Sequence, residues 1–91
     1  MQEIQCKVSG SVQGVFFRVY AKEQADNLNI VGYVKNINDG TVEIVAQSRN
    51  EDYLKYFISK LKEGSALANV DRVDTVWISP EDDFEHFLIK I

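Results

Sequence analysis

One arginine and two glycines mark the stretch of this chain best suited to chemistry. Gly10-Ser11-Val12-Gln13-Gly14-Val15-Phe16-Phe17-Arg18 is a glycine-bracketed loop that closes on Arg18 where a helical pattern begins. A loop feeding a helix start leaves backbone N–H groups unpaired and pointing one way. The helix dipole adds partial positive charge at that end, and Arg18 adds a full charge and a planar fork of donors. The segment is suited to holding a phosphate or a carboxylate. The competing reading makes Arg18 half of a surface ion pair and Gly10 and Gly14 plain turn residues. Two glycines and no neighbouring acid favour the anion site. Asn36 is the best polar group to converge on it. Its amide cannot take a proton at neutral pH but can orient a water by hydrogen bonding. On spacing alone, a structural place at a strand end, beside Asn38-Asp39-Gly40, is the better reading of Asn36.

Other catalytic kits are missing. No glycine-rich run ends in Gly-Lys-Ser/Thr, so the loop is not a P-loop nucleotide site. Cys6 lies in a strand pattern and is expected to face the core, as a structural cysteine rather than a nucleophile. His86 reads as an exposed histidine on a late strand, and Glu81-Asp82-Asp83 as a solvated turn. One cysteine and one histidine far apart exclude an internal disulfide and fit no zinc site. The net charge of −4 argues against nucleic acid as the main partner, because backbone binding needs surplus Lys and Arg. A local basic site for one small anion remains allowed. Met1-Gln2-Glu3-Ile4 lacks the basic start and apolar run of a signal peptide, and no apolar stretch approaches membrane-spanning length. A reducing cytoplasm is the expected location.

The 91 residues, 45% hydrophobic and 26% charged, are expected to form one domain with a thin core. Ile4, Cys6 and Val8 alternate with Gln5, Lys7 and Ser9, a strand with one buried face. From Phe17 to Leu28, the positions Phe17, Ala21, Ala25 and Leu28 share one helical stripe, with Asn29 as a left-handed stop. Ile30–Ile37 and Thr41–Gln47 read as a hairpin around the turn Asn38-Asp39-Gly40. Ser48 and Glu51 fit a capping box, opening a second helix whose pattern is Leu54, Phe57, Ile58 and Leu61. Gly64 ends that helix. Val73–Ile78 is a fourth strand whose inward face alternation does not reveal, and Phe87, Ile89 and Ile91 form a short last one. The order β-α-β-β-α-β plus a tail strand predicts an α+β ferredoxin-like sandwich. Its two helices lie on one face of a mostly antiparallel sheet. That fold by itself settles no function.

Two stretches carry a resemblance. Gly10 to Arg18 resembles the first signature of the acylphosphatase family, and Gly32-Tyr33-Val34-Lys35-Asn36-Ile37-Asn38-Asp39-Gly40-Thr41-Val42 resembles its second. They sit at the family's separation, and the resemblance covers almost the whole chain. It implies metal- and cofactor-free hydrolysis of acyl phosphates to a carboxylate and inorganic phosphate. It further implies that Arg18 and the loop amides of Gln13, Gly14, Val15, Phe16 and Phe17 hold the phosphate, and that Asn36 positions the attacking water. Three positions depart from the pattern. Ser48 stands where the family usually has glycine, Ser65 follows Gly64 where it often has proline, and Asn29 replaces the glycine of a Leu-Gly-Leu. Ser48 can cap a helix, and Asn tolerates a left-handed backbone.

The chemistry fits the missing parts. The conjugate acid of a carboxylate leaving group has a pKa of roughly 4 to 5, so it needs no general acid. No protein base is evident. A substrate phosphate oxygen can take the proton from water while the protein orients and stabilises charge. Two other readings stay open, a non-catalytic small-anion domain and a carbamoyl-phosphate domain of a larger hydrogenase-maturation protein. The ending at Ile91 favours a free-standing enzyme, and a monomer is expected. No segment reads as a pocket for the acyl part, so low selectivity is expected.

Overall fold

Seven elements appear in the computed structural model, which describes all residues from Met1 to Ile91. They are β1 (Gln2–Ser11), α1 (Phe17–Asn27), β2 (Val31–Asn36), β3 (Val42–Ser48), α2 (Glu51–Glu63), β4 (Asn69–Ile78) and β5 (Phe87–Lys90). The strands form one sheet in the order β4-β1-β3-β2-β5. Three pairings are antiparallel, and β2–β5 alone is parallel. This is the expected α+β sandwich.

The strand alternation decides what each sheet face does. Ile4, Cys6 and Val8 on β1, Val34 on β2 and Val42, Ile44 and Ala46 on β3 join one buried cluster with Phe17, Ala21 and Ala25 of α1 and Leu54, Phe57 and Leu61 of α2. Both helical stripes read from the sequence face the core, with their members Leu28 and Ile58 only partly buried. The Cys6 Sγ lies 3.4 Å from Thr75 Oγ1, and burial pushes its thiol pKa up to about 11. That places it in the core as an inert group.

Element ends follow their caps, with one correction. Asn29 takes the left-handed conformation at φ 55°. Ile30 N–H then reaches Ala25 O at 2.9 Å and Asn29 N–H reaches Asp26 O at 3.2 Å, the crossed pair of a Schellman motif. The N-cap of α2 is Asn50, not Ser48. Asn50 Oδ1 accepts from Asp52 N at 2.9 Å and Tyr53 N at 3.3 Å. Ser48 is instead the last residue of β3, paired with Gln2, and its Oγ accepts from Asn50 N at 3.0 Å. Strand pairing holds Ser48 extended, so the helix starts two residues later.

The other face of the sheet is crossed by the connection from β4 at one edge to β5 at the opposite edge. Phe84 packs edge-on to Tyr33 at 5.9 Å, and Gln47 Nε2 donates to Asp82 O at 2.7 Å and to Glu3 Oε1 at 2.8 Å. Lys90 Nζ sits 3.9 Å from the centroid of the Tyr33 ring. His86, read as a strand residue, is exposed and just precedes β5. Its carbonyl accepts from Gly32 N at 2.9 Å and starts the parallel pairing. The acidic run Glu81-Asp82-Asp83 is exposed.

Candidate functional site

The loop between β1 and α1 is shaped by its two glycines. Gly10 has φ 126°, at a register shift between Ser9 and Gly10 in the β1–β4 pairing. A Cβ there would run into the Asn69 carbonyl oxygen. Gly14 has φ 76°, with open space where a Cβ would sit, so its glycine serves backbone freedom and not close packing.

Phe16 carries the remaining turn. It is the N-cap of α1, at φ 63° and ψ 21°, with no side-chain capping bond. A bulky residue in that left-handed region costs about 1–3 kcal/mol. The result is a run of amides without acceptors. No backbone carbonyl accepts from the N–H of Gly14, Val15, Phe16, Phe17, Arg18 or Val19, and the first such bond is Tyr20 N to Phe16 O at 3.1 Å. These donors stand at the positive end of the α1 dipole, as an anion site requires.

Arg18 and Asn36 line one cavity of about 250 Å³ with Val12, Gly14, Phe16, Phe17, Val19 and Ile89. Arg18 makes no ion pair. Its Nη1 donates to Lys90 O at 2.9 Å, which anchors the guanidinium against β5 and spends one of its five donors. The surface-ion-pair alternative therefore has no partner. Asn36 ends β2 on the same face as Val34 and Gly32, toward the helices. Its Oδ1 is buried and has no hydrogen-bond partner in the protein, an arrangement that costs about 1–3 kcal/mol when left unmet. It is the one buried side-chain polar atom so placed, and its residue lines the cavity that holds Arg18.

Gln13 and Val15, expected among the phosphate-holding loop residues, lie outside the cavity lining. Gln13 Nε2 donates to Ile37 O at 2.7 Å and Thr41 O at 2.9 Å. Its amide thereby ties the loop to the turn that follows Asn36. That turn has its own brace. The Asp39 carboxylate accepts from Thr41 N at 3.0 Å and Thr41 Oγ1 at 2.6 Å, and these bonds hold its pKa below the usual value. Val15 packs against the core, and its carbonyl accepts from Ser65 Oγ at 3.1 Å. Ser65, one of the departures from the family pattern, is thus a brace for the loop.

Sequence reasoning missed the Gln13 side-chain clamp, the Lys90 carbonyl behind Arg18, and Val12, Val19 and Ile89 in the lining. Only the polar amide of Gln13, out of place in an apolar loop, signalled any of these. The others arise from the parallel docking of β5. No three His, Cys, Asp or Glu side chains are grouped so as to hold a metal ion, and no helix is long and apolar enough to cross a membrane.

Known proteins match this chain in sequence and in fold. The family model for acylphosphatase matches residues 4–89. An acylphosphatase of Borrelia garinii subsp. bavariensis is 36% identical over 91 residues, 100% of this chain and 98% of that protein. The crystal structure of acylphosphatase from Bacillus subtilis superposes with a TM-score of 0.96 at 33% identity, covering 100% of both chains. HypF of T. kodakarensis matches 99% of this chain with a TM-score of 0.86 and 36% identity, over 12% of its own length. Matched along nearly its whole length in sequence and in fold, the chain belongs to the acylphosphatase family.

Proposed function

We propose that this cavity hydrolyses acyl phosphates, with Arg18 and the amides from Gly14 to Val19 holding the phosphoryl group and Asn36 orienting the water. The observation that carries the reading is that three features meet around one cavity, whose lining takes in every residue of the amide run except Val15. They are a run of amides without acceptors, an arginine free of any acid, and a buried amide oxygen without a donor. The amides and Arg18 offer donors to the equatorial phosphoryl oxygens, where charge redistributes in the transition state. Asn36 Oδ1 accepts a proton-bearing edge of the water and aims its oxygen at phosphorus. The new bond joins that oxygen to phosphorus. The bond from phosphorus to the bridging oxygen breaks, and its electron pair leaves with the carboxylate. The water proton goes to a non-bridging phosphoryl oxygen, so the products are a carboxylate and dihydrogen phosphate. Gln13 acts from behind, through the turn it grips.

One chain supplies every group this reading uses, so a monomer suffices for it, and the partner is a small molecule. The net charge of −4 disfavours nucleic acid. A reducing cytoplasm suits the free, buried Cys6. The test is a continuous ultraviolet assay of benzoyl phosphate hydrolysis in excess EDTA. Turnover in the chelator, with a loss of about 10²–10³ in Arg18→Ala, is expected. Activity that vanishes in EDTA and returns with a divalent ion overturns the mechanism. The match to 12% of the length of HypF shows this fold as one part of a larger protein, and the second reading is a domain that binds a small anion without turning it over. Saturable phosphate binding with no hydrolysis of any acyl phosphate would select it.

A further inference from the structure

Phe16 is an anomaly that phosphate binding does not explain. It combines a left-handed backbone at φ 63° with a side chain that is 72% exposed. Neither cost is repaid by packing, since Phe16 is absent from the core cluster and from the residues packed against it. An outlier of this kind points to function at the place where it sits. Glycine or asparagine would hold the same backbone with less strain, so the loop amides do not require a phenylalanine here.

Two more large apolar side chains stand exposed around the same opening. Val19 follows Phe16 by three residues, on the same side of the helix start, and is 48% exposed. Ile89 reaches the cavity from β5 and is 37% exposed. With the buried Val12 and Phe17, they make the lining apolar everywhere except at Gly14, Arg18 and Asn36. The only charge is that of Arg18, which faces the phosphoryl group. No lysine and no acid joins the lining. The nearby Lys90 stands over the Tyr33 ring, on the opposite face of the sheet.

We infer that Phe16, Val19 and Ile89 form an acyl-binding lip, and that the preferred substrates are acyl phosphates with an extended, uncharged, apolar acyl group. The inference rests on the proposed orientation of the phosphoryl group toward Arg18 and the loop amides. That orientation leaves the acyl end of the substrate against the apolar rim. An acyl group carrying its own carboxylate meets three hydrocarbon side chains and no cation there, and loses hydration without compensation. Low acyl selectivity, the sequence-based expectation, is thereby replaced by a graded preference.

The experiment compares kcat/KM for acetyl, butyryl and hexanoyl phosphate, whose leaving carboxylates are near-equal in basicity, with succinyl phosphate as the charged comparison. A fully buried methylene is worth about fourfold, so a half-open lip should give about twofold per methylene. Succinyl phosphate should fall well below butyryl phosphate. In Phe16→Asn, which tolerates the left-handed backbone, and in Val19→Ser on the exposed helix face, the hexanoyl-to-acetyl ratio should collapse toward one. Thermal melts verify that both variants are folded. A flat series in the parent overturns the lip, as does a slope that survives both substitutions. A slope that falls as protein concentration rises also overturns it, because a second copy would then cover these side chains. Failure of the phosphoryl reading looks different, since acetyl phosphate hydrolysis would then be absent or indifferent to Arg18→Ala.

Discussion

Replacing Gln13 separates the support of the site from its chemistry. Its amide nitrogen makes two hydrogen bonds, 2.7 Å to Ile37 O and 2.9 Å to Thr41 O. Ile37 directly follows Asn36, so the clamp sets where the end of β2 stands relative to the loop. Each bond is worth about 1 kcal/mol net, and Gln13→Ala should therefore lose about 2 kcal/mol. For a domain of this size, that is a fall in Tm of roughly 10 °C. Displacement of Asn36 by a fraction of an ångström should lower kcat by about ten- to a hundredfold. The inhibition constant of inorganic phosphate should stay near that of the parent, because Arg18 and the loop amides remain. Gln13→Glu is the sharper variant. Its carboxylate cannot donate and faces two carbonyl oxygens, so its rate at neutral pH should be no better than that of Gln13→Ala. Protonation restores one donor, so its rate should recover as pH falls through the carboxyl range, while Gln13→Ala shows no such rise. The assay is a pH–rate profile of both variants at a temperature where melts show them fully folded. A Gln13→Glu enzyme with the kcat of the parent at neutral pH would refute the clamp.

Two further predictions follow from geometry already described. Arg18→Lys should rescue little of the activity lost in Arg18→Ala, because an ammonium cannot both keep the bond to Lys90 O and present a planar fork to a phosphoryl group. Rates within threefold of the parent for the lysine variant would contradict that, and steady-state kinetics decides. Burial raises the Cys6 thiol above its ordinary pKa of 9.0, to about 11. The native thiol should therefore resist a disulfide reagent at pH 8 and react at once in urea. By the same linkage the folded state favours the protonated thiol. Its contribution to stability is whole below pH 9 and falls as pH climbs toward 11, which urea titrations of the parent and Cys6→Ala should show by converging in that window.

Legibility in the sequence followed the range of the interactions. The β1 alternation and the stripes of α1 and α2 are local periodicities, and the structure buries those residues except Leu28 and Ile58, which are partly buried against the core. The left-handed Asn29 was equally local. The α2 cap was misplaced because Ser48 and Asn50 can both cap, and only the pairing of Ser48 with Gln2 across the sheet decides between them. The extension of β4 back to Asn69 was hidden. That stretch is a sheet edge with polar residues on both faces, and its pairing passes the register shift at Gly10. At the site, the Gly10–Arg18 motif was legible from its residues, while Asn36 was marked only by the family resemblance, since spacing alone favoured a strand-end place for it. The grip of Gln13 on the hairpin turn, the Lys90 carbonyl behind Arg18 and the apolar lip were not legible. Each joins residues at least 24 positions apart in chain order or depends on β5 lying parallel to β2.

The central claim is that Asn36 orients water and does not bind phosphate, and one pair of numbers tests it. The measurement is kcat for benzoyl phosphate beside the inhibition constant of inorganic phosphate, for the parent, Asn36→Ala and Asn36→Asp, with melts to show that each is folded. Loss of an interaction made mainly in the transition state lowers kcat and spares binding. Asn36→Ala should therefore lose about 10²–10³ in kcat with phosphate inhibition near that of the parent. Asn36→Asp should not recover the rate, because its negative charge opposes the phosphoryl group and the substrate oxygen already takes the proton. Equal losses in rate and phosphate affinity for Asn36→Ala, or an Asn36→Asp enzyme as fast as the parent with a new carboxyl ionisation in its pH profile, would contradict the account.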